Sequence, residues 1–157
     1  MENKKTLQEC DNDADLAIGA MITTLGFGSL APVAINWAIA ASAYGAGAVA
    51  IGKAYGVTLS EDEGWKLVKQ FFVAAGTGFL IINFGAKLIA CVAQATGIGY
   101  GAGVLLDTAI SIAGAYAVGG CAKAYFRADY QGKRKLSKEE IGRIFREEFT
   151  KHKKNNK

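Results

Sequence analysis

The sequence predicts an all-α protein made of two Gly/Ala-rich apolar helical hairpins followed by a C-terminal amphipathic helix. The 157 residues are 51% hydrophobic and include 20 Gly but one Pro, so the glycines do not indicate Pro/Gly-rich disorder. The apolar stretches are Ala-rich, too long for strands and without period-two alternation, which favours helices. Residues 16–52 carry no charged side chain, and residues 70–122 carry only Lys87 and Asp107.

Two glycine-rich breaks, at 26–32 and 96–103, divide these stretches. Glycine adopts the positive φ that a tight reversal needs. We therefore predict four apolar helices, arranged as two hairpins, and a shorter C-terminal helix, near residues 15–26, 32–56, 63–95, 102–127 and 137–151. The chain then divides into a polar N-terminal tail (1–15), a hairpin domain (16–127) and a basic C-terminal helix with its tail (128–157).

The two hairpins share a sequence pattern. Lys-Ala-Tyr at 53–55 recurs at 123–125, and each copy precedes a capping-box pattern, Ser60 with Glu63 and Ser137 with Glu140. Apolar residues follow each serine at the spacing of an amphipathic helix. Matching features in the same order predict an internal duplication. We expect the first amphipathic helix to continue into the apolar segment 71–86 and the last to remain in water.

The uncharged stretches also suggest a membrane. A spanning helix needs about 20 apolar residues, and the arms here are near or below that length and are diluted with Ala and Gly. If both hairpins insert, the termini share one side, and the Lys/Arg-rich sequence after Lys123 places that side in the cytoplasm at a bacterial inner membrane. A soluble bundle packed through alanine is the alternative.

Small residues at spacings of three or four form stripes that let helices pack closely in lipid. The candidate helix-packing positions are Gly45, Gly52, Gly56, Ser111, Ala115 and Gly119. The same stripes allow a second hypothesis, in which copies of the chain assemble into a pore or another membrane-disrupting oligomer.

Two further groups of residues are candidate sites. Asp107 is costly in an apolar helix unless it is paired, and Lys87 on the preceding helix is its candidate partner. Alternatively, Lys87 snorkels and Asp107 lies near the turn, in water or among headgroups. On the last helix, the apolar face is the candidate partner-binding surface and comprises Ile141, Ile144, Phe145 and Phe149.

No catalytic or cofactor site is predicted. His152 is the single histidine, and the three cysteines lack metal-ligand or redox spacing. The Gly-x-Gly segments follow no strand, so they do not match a dinucleotide fingerprint. Nucleic acid is disfavoured as a partner because no aromatic platform accompanies the basic residues. We expect a non-enzymatic protein without cofactor or metal.

Several short segments resemble a known family. They are the run 53–61, the turn 97–99, the Ala-Tyr-Phe at 124–126, the run 136–140 and Phe145. On these segments the chain resembles the bacterial YcjF-like family of unknown function, often found beside small GTPase domains. A proline-rich turn usual in that family is reduced here to Pro32. The resemblance implies a membrane-associated helical protein with a GTPase partner, and it supplies no catalytic residues.

Overall fold

The structure is a computed structural model that describes residues 3–28, 33–85 and 100–155. Within those ranges the chain is helical and contains no strand, which confirms the all-α class. The helices are α1 (Leu7–Gly28), α2 (Val33–Ala54), α3 (Glu61–Ala75), α4 (Thr77–Gly85), α5 (Tyr100–Tyr130) and α6 (Lys138–Asn155).

The first helix begins earlier than predicted, at Leu7, so most of the expected polar tail is helical. Thr6 and Glu9 form a capping box: Glu9 Oε2 accepts the backbone N–H of Thr6 at 2.7 Å, and the Thr6 hydroxyl accepts that of Glu9 at 3.2 Å. Such a box satisfies two N–H groups that a helix start leaves without intrahelical partners. The Thr-x-x-Glu pattern at Thr6 and Glu9 is the sequence signal that predicts this helix start.

Both predicted capping boxes are formed. Glu63 Oε2 accepts the Ser60 N–H at 2.8 Å, and Glu140 Oε2 accepts the Ser137 N–H at 2.7 Å. Glu140 also receives two hydrogen bonds from the guanidinium of Arg134, at 2.8 and 2.9 Å. These bonds, with the Arg134 guanidinium as the main cause, lower the pKa of Glu140 to about 2.

The single helix predicted over 63–95 is wrong. The chain breaks at Gly76, whose φ is +95°, and α4 leaves α3 at a bend of 101°. Glycine adopts this conformation readily because it has no Cβ. Gly76 and Gly78, two residues apart, are the local signal for a break, and contacts of Phe79 with Phe145 and Phe149 of α6 hold the bend.

The helices pack around α2 and α5. Helix α2 contacts α1, α3 and α5; α5 contacts α1, α2 and α6; and α3 lies against α6. The largest fully buried side chains include Ile51 of α2, Phe71 of α3, and Phe145 and Phe149 of α6. Aromatic residues of α3 and α6 therefore form one end of the core, and small residues of α2 and α5 form its centre.

Candidate functional site

The predicted helix-packing glycines bring helices together inside this chain. A Cβ on Gly64 of α3 would lie 2.8 Å from the carbonyl oxygen of Gly45 on α2. A Cβ on Gly52 would lie 3.2 Å from Phe126 on α5, and one on Gly119 would lie 2.6 Å from Ile18 on α1. The second hypothesis needs these positions to face other copies of the chain, and neighbouring helices of the same chain occupy them.

Gly56 has a different role from the predicted one. It follows the end of α2 with φ +81°, and a Cβ there would meet no atom within 4 Å. It therefore supports a turn, where its freedom of φ is needed, and is not a packing position.

Ser111 and Ala115 are buried, and the Ser111 carbonyl accepts a hydrogen bond from the Tyr44 hydroxyl at 3.1 Å.

The apolar face of α6 is turned into the core. Phe145 and Phe149 are fully buried, Ile141 is buried, and Ile144 is partly buried against the same core. This placement differs from the expectation that these four side chains meet a partner, because α3, α4 and α5 already cover them. Lys87 lies outside the described residues, and of Asp107 only the backbone is described, so the predicted pairing of the two stays a prediction.

The α3–α4 elbow, defined here as residues 73–85, has a buried aromatic side and an exposed aliphatic side. On its inner side, Phe79 packs edge-on against Phe145 and Phe149, with ring centroids 6.2 and 5.5 Å apart. Phe84 lies 5.2 Å from Phe149 and 5.3 Å from Phe72 of α3. These aromatic contacts attach α4 to α6.

Polar bonds from α6 accompany this contact. The Arg146 guanidinium donates to the carbonyl of Ala75 at 3.1 Å, and Lys153 Nζ donates to Asn83 Oδ1 at 3.1 Å. The other amide atom of Asn83 donates to the Phe79 carbonyl at 2.9 Å, within α4.

The outer side of the elbow is apolar and exposed. Four large aliphatic side chains of the described ranges are mostly exposed: Leu16 (73%), Val73 (62%), Ile81 (68%) and Ile82 (74%). Three of them belong to the elbow. Helix α4 has no charged residue, and a helix apolar on all sides normally has its whole surface removed from water. In the part of the chain that the structure describes, the face of α4 with Ile81 and Ile82 is not covered.

A basic groove adjoins the elbow. It has a volume of about 640 Å³ and is lined by Lys69, Gln70, Val73, Ala74, Tyr125, Lys135, Leu136, Lys138 and Ile141. Three of these side chains are cationic and none is a carboxylate. Val73 belongs to both surfaces, so exposed aliphatic and cationic groups lie side by side.

A larger groove, of about 870 Å³, lies between α1, α5 and α6, but its charges are largely paired. Asp15 accepts from Lys123 at 2.7 Å, and Asp11 pairs with Arg127 at 3.3 Å. The Tyr55 hydroxyl also donates to Asp11, at 2.5 Å. The pKa of Tyr55 is raised mainly by burial of its hydroxyl and, as the second cause, by this hydrogen bond to Asp11. These contacts join α1 to α5 and to the end of α2.

No single helix in the described ranges is both long enough and apolar enough to span a bilayer. Helices α3 and α4 have the required length and apolarity only when they are taken together, across the bend between them. Within those ranges no three His, Cys, Asp or Glu side chains are grouped to hold a metal ion.

Comparison of the chain with family models, curated proteins and solved structures finds no match in any of the three. The resemblance to the YcjF-like family therefore stays a prediction.

Proposed function

We propose that this protein is a non-enzymatic helical module that associates with anionic membrane surfaces through the α3–α4 elbow. The observation that carries the proposal is the exposed aliphatic face of an uncharged helix, formed by Ile81 and Ile82. Single exposed aliphatic residues are common on protein surfaces. Here three lie at one bend, Val73 on α3 and both Ile81 and Ile82 on the uncharged α4, and this grouping favours a lipid surface.

The neighbouring charges favour anionic lipid in particular. Lys69, Lys135 and Lys138 line the groove beside Val73, and no carboxylate faces them there. A lysine near an anionic bilayer contributes about 1 kcal/mol of attraction, and buried aliphatic groups add to it. The sequence that continues from Gly85 is also apolar, with Lys87 as the one charged residue from 86 to 99.

The proposal also includes an internal duplication and a GTPase partner. The internal duplication is supported by the capping boxes at Ser60 and Ser137 and by the pairing of α2 with α3 and of α5 with α6. A GTPase partner is supported by the family resemblance alone. The elbow, rather than the glycine stripes, is the surface that we assign to the membrane.

Flotation with vesicles tests the membrane proposal. The full chain should float with vesicles containing phosphatidylglycerol and bind phosphatidylcholine vesicles at least about tenfold more weakly, because the lysines lose their anionic counterpart. Ile82→Glu should reduce binding to the anionic vesicles by about tenfold or more, since it places a charge on the apolar face.

Leu16→Glu is the matched control. Leu16 is 73% exposed and Ile82 is 74% exposed, but Leu16 lies on α1. The control variant should bind as the wild type does. Absence of binding to anionic vesicles, or equal losses in both variants, would refute the assignment of the elbow.

A further inference from the structure

We propose that the α3–α4 elbow straightens at Gly76 on the membrane, so that α4 leaves α6 and continues α3 as one inserted helix. This inference rests on the proposed function, which by itself requires only that the closed elbow touch the bilayer. Its starting point is that α3 and α4 reach the length and apolarity of a span only as a pair, across a bend of 101°.

The joint is a single glycine with room to move. Gly76 has φ +95°, and a Cβ placed there would meet no atom within 4 Å. Its N–H bonds to the Val73 carbonyl, and its carbonyl accepts from the Leu80 N–H. Rotation of Gly76 to helical φ and ψ would replace the end of one helix and the start of the next by a continuous series of hydrogen bonds.

The contacts that keep the elbow closed are of a kind that lipid can replace. Phe79 and Phe84 bury their rings against Phe149. In water, opening would expose these rings together with Ile81 and Ile82, at the cost of their hydrophobic burial. Insertion of the straight helix also takes Val68 and Phe71 of α3 out of the core, where both are fully buried. In a bilayer the acyl chains would surround every face of α3 and α4, so these losses would be offset and the outer face of α4 would become buried.

The polar bonds of the elbow also have replacements. The Ala75 carbonyl, now bonded to Arg146, would accept the N–H of Phe79 in a continuous helix. Asn83 already donates to the Phe79 carbonyl within α4, a bond that survives the opening. The Arg146 guanidinium loses its acceptor and the Lys153 contact with Asn83 is broken, which frees two cations to meet the headgroups.

The dimensions agree with insertion. A straight helix over 61–85 would be about 37 Å long at about 1.5 Å per residue, against a hydrocarbon core of about 30 Å. The acidic first turn, Glu61 to Glu63, would stay outside at one end. Lys66 and Lys69 would then lie near the headgroups, where lysine is favoured.

Tryptophan quenching by lipids tests the opening. In a Trp37→Phe, Trp65→Phe background, one tryptophan is introduced at Ile82, on the outer face, or at Phe79, on the inner face. Vesicles of phosphatidylglycerol and phosphatidylcholine with nitroxide-labelled acyl chains are then added to the full chain. If the elbow opens, both tryptophans are quenched, because lipid surrounds α4.

The two proposals fail differently in this experiment. Quenching at position 82 without quenching at position 79 means that the elbow binds closed, which overturns the inference and leaves the proposed function intact. No quenching at either position overturns both.

A second measurement uses the joint itself. Gly76→Ala penalises the bent form through its φ and leaves the straight form free of strain, so it should raise the fraction of chain bound to anionic vesicles, with an affinity gain of about tenfold. Gly78→Ala is the control, because a Cβ there meets nothing within 4 Å and its φ is not positive. Equal effects of the two variants would overturn the inference. If Gly76→Ala fails to fold in water, the two single-tryptophan variants at positions 79 and 82, which keep Gly76, still test whether the elbow opens.

Discussion

Arg146 of α6 donates a hydrogen bond from Nη1 to the backbone carbonyl of Ala75, the last residue of α3, at 3.1 Å. The last carbonyls of a helix have no intrahelical partner, and the C-terminal end of the helix dipole attracts cations. Helix α3 has no basic residue in its own last turn. The cation is therefore supplied by a helix that begins more than sixty residues later, at Lys138, directly beside the Gly76 bend.

Arg146→Ala should lower the free energy of unfolding by about 1.5 kcal/mol, the usual contribution of a hydrogen bond to a charged group. Urea denaturation followed by circular dichroism measures it. Arg143→Ala is the control: Arg143 pairs with Glu147 at 3.4 Å on the exposed face of α6, so its loss should cost less than about 0.5 kcal/mol. If Arg146→Ala and Arg143→Ala lowered the free energy of unfolding equally, the bond from Arg146 to the Ala75 carbonyl would contribute no stability of its own.

Gly142→Ala should separate α6 from α3. A Cβ on Gly142 would overlap the carbonyl oxygen of Ala74, and neither backbone can yield without moving a helix. We expect a loss of about 2 kcal/mol in thermal or urea unfolding. Gly120→Ala should be tolerated, because its Cβ would meet the flexible Glu148 side chain, 2.9 Å away at Cγ. A stable Gly142→Ala variant would contradict the close approach of these helices.

Phe145→Ala should lower the free energy of unfolding by about 3 to 5 kcal/mol, since the ring is fully buried between Phe72 and Phe79. Ile82→Ala should change it by less than about 0.5 kcal/mol in water, because that side chain is exposed. If the wild type and Phe145→Ala had nearly equal free energies of unfolding, the apolar face of α6 would be exposed in solution, as expected for the partner-binding surface that the sequence predicts.

Glu140 should make stability depend on acid pH. Its pKa is lowered from 4.5 to about 2 in the folded chain, so the folded state favours the carboxylate. The contribution is present above about pH 4.5 and is lost as the pH falls through about 2. Urea midpoints measured over this window should fall more steeply for the wild type than for Glu140→Gln. Parallel curves would mean that the contacts with Arg134 and Ser137 do not persist in solution.

The helix class and most helix ends follow from local sequence. Ser60 and Ser137 each lie three residues before a glutamate and ahead of apolar residues at helical spacing, and a capping box is completed within one turn. The same local rule would have placed the start of α1 at Thr6. The uncharged character of residues 77–85, on which the candidate site depends, is also evident in the sequence.

How these helices pack depends on contacts between residues that are far apart in the sequence. The bend at Gly76 is held where Phe79 and Phe84 meet Phe149 of α6, a residue more than seventy positions further along the chain. The same packing buries Phe145, leaves Ile82 exposed and gives Gly142 its close contact with α3. That the chain forms apolar and amphipathic helices is predictable from local sequence, because helix formation and capping depend on near neighbours. Which faces became core and which stayed exposed was decided by residues distant along the chain, since burial requires a partner surface that local sequence does not contain.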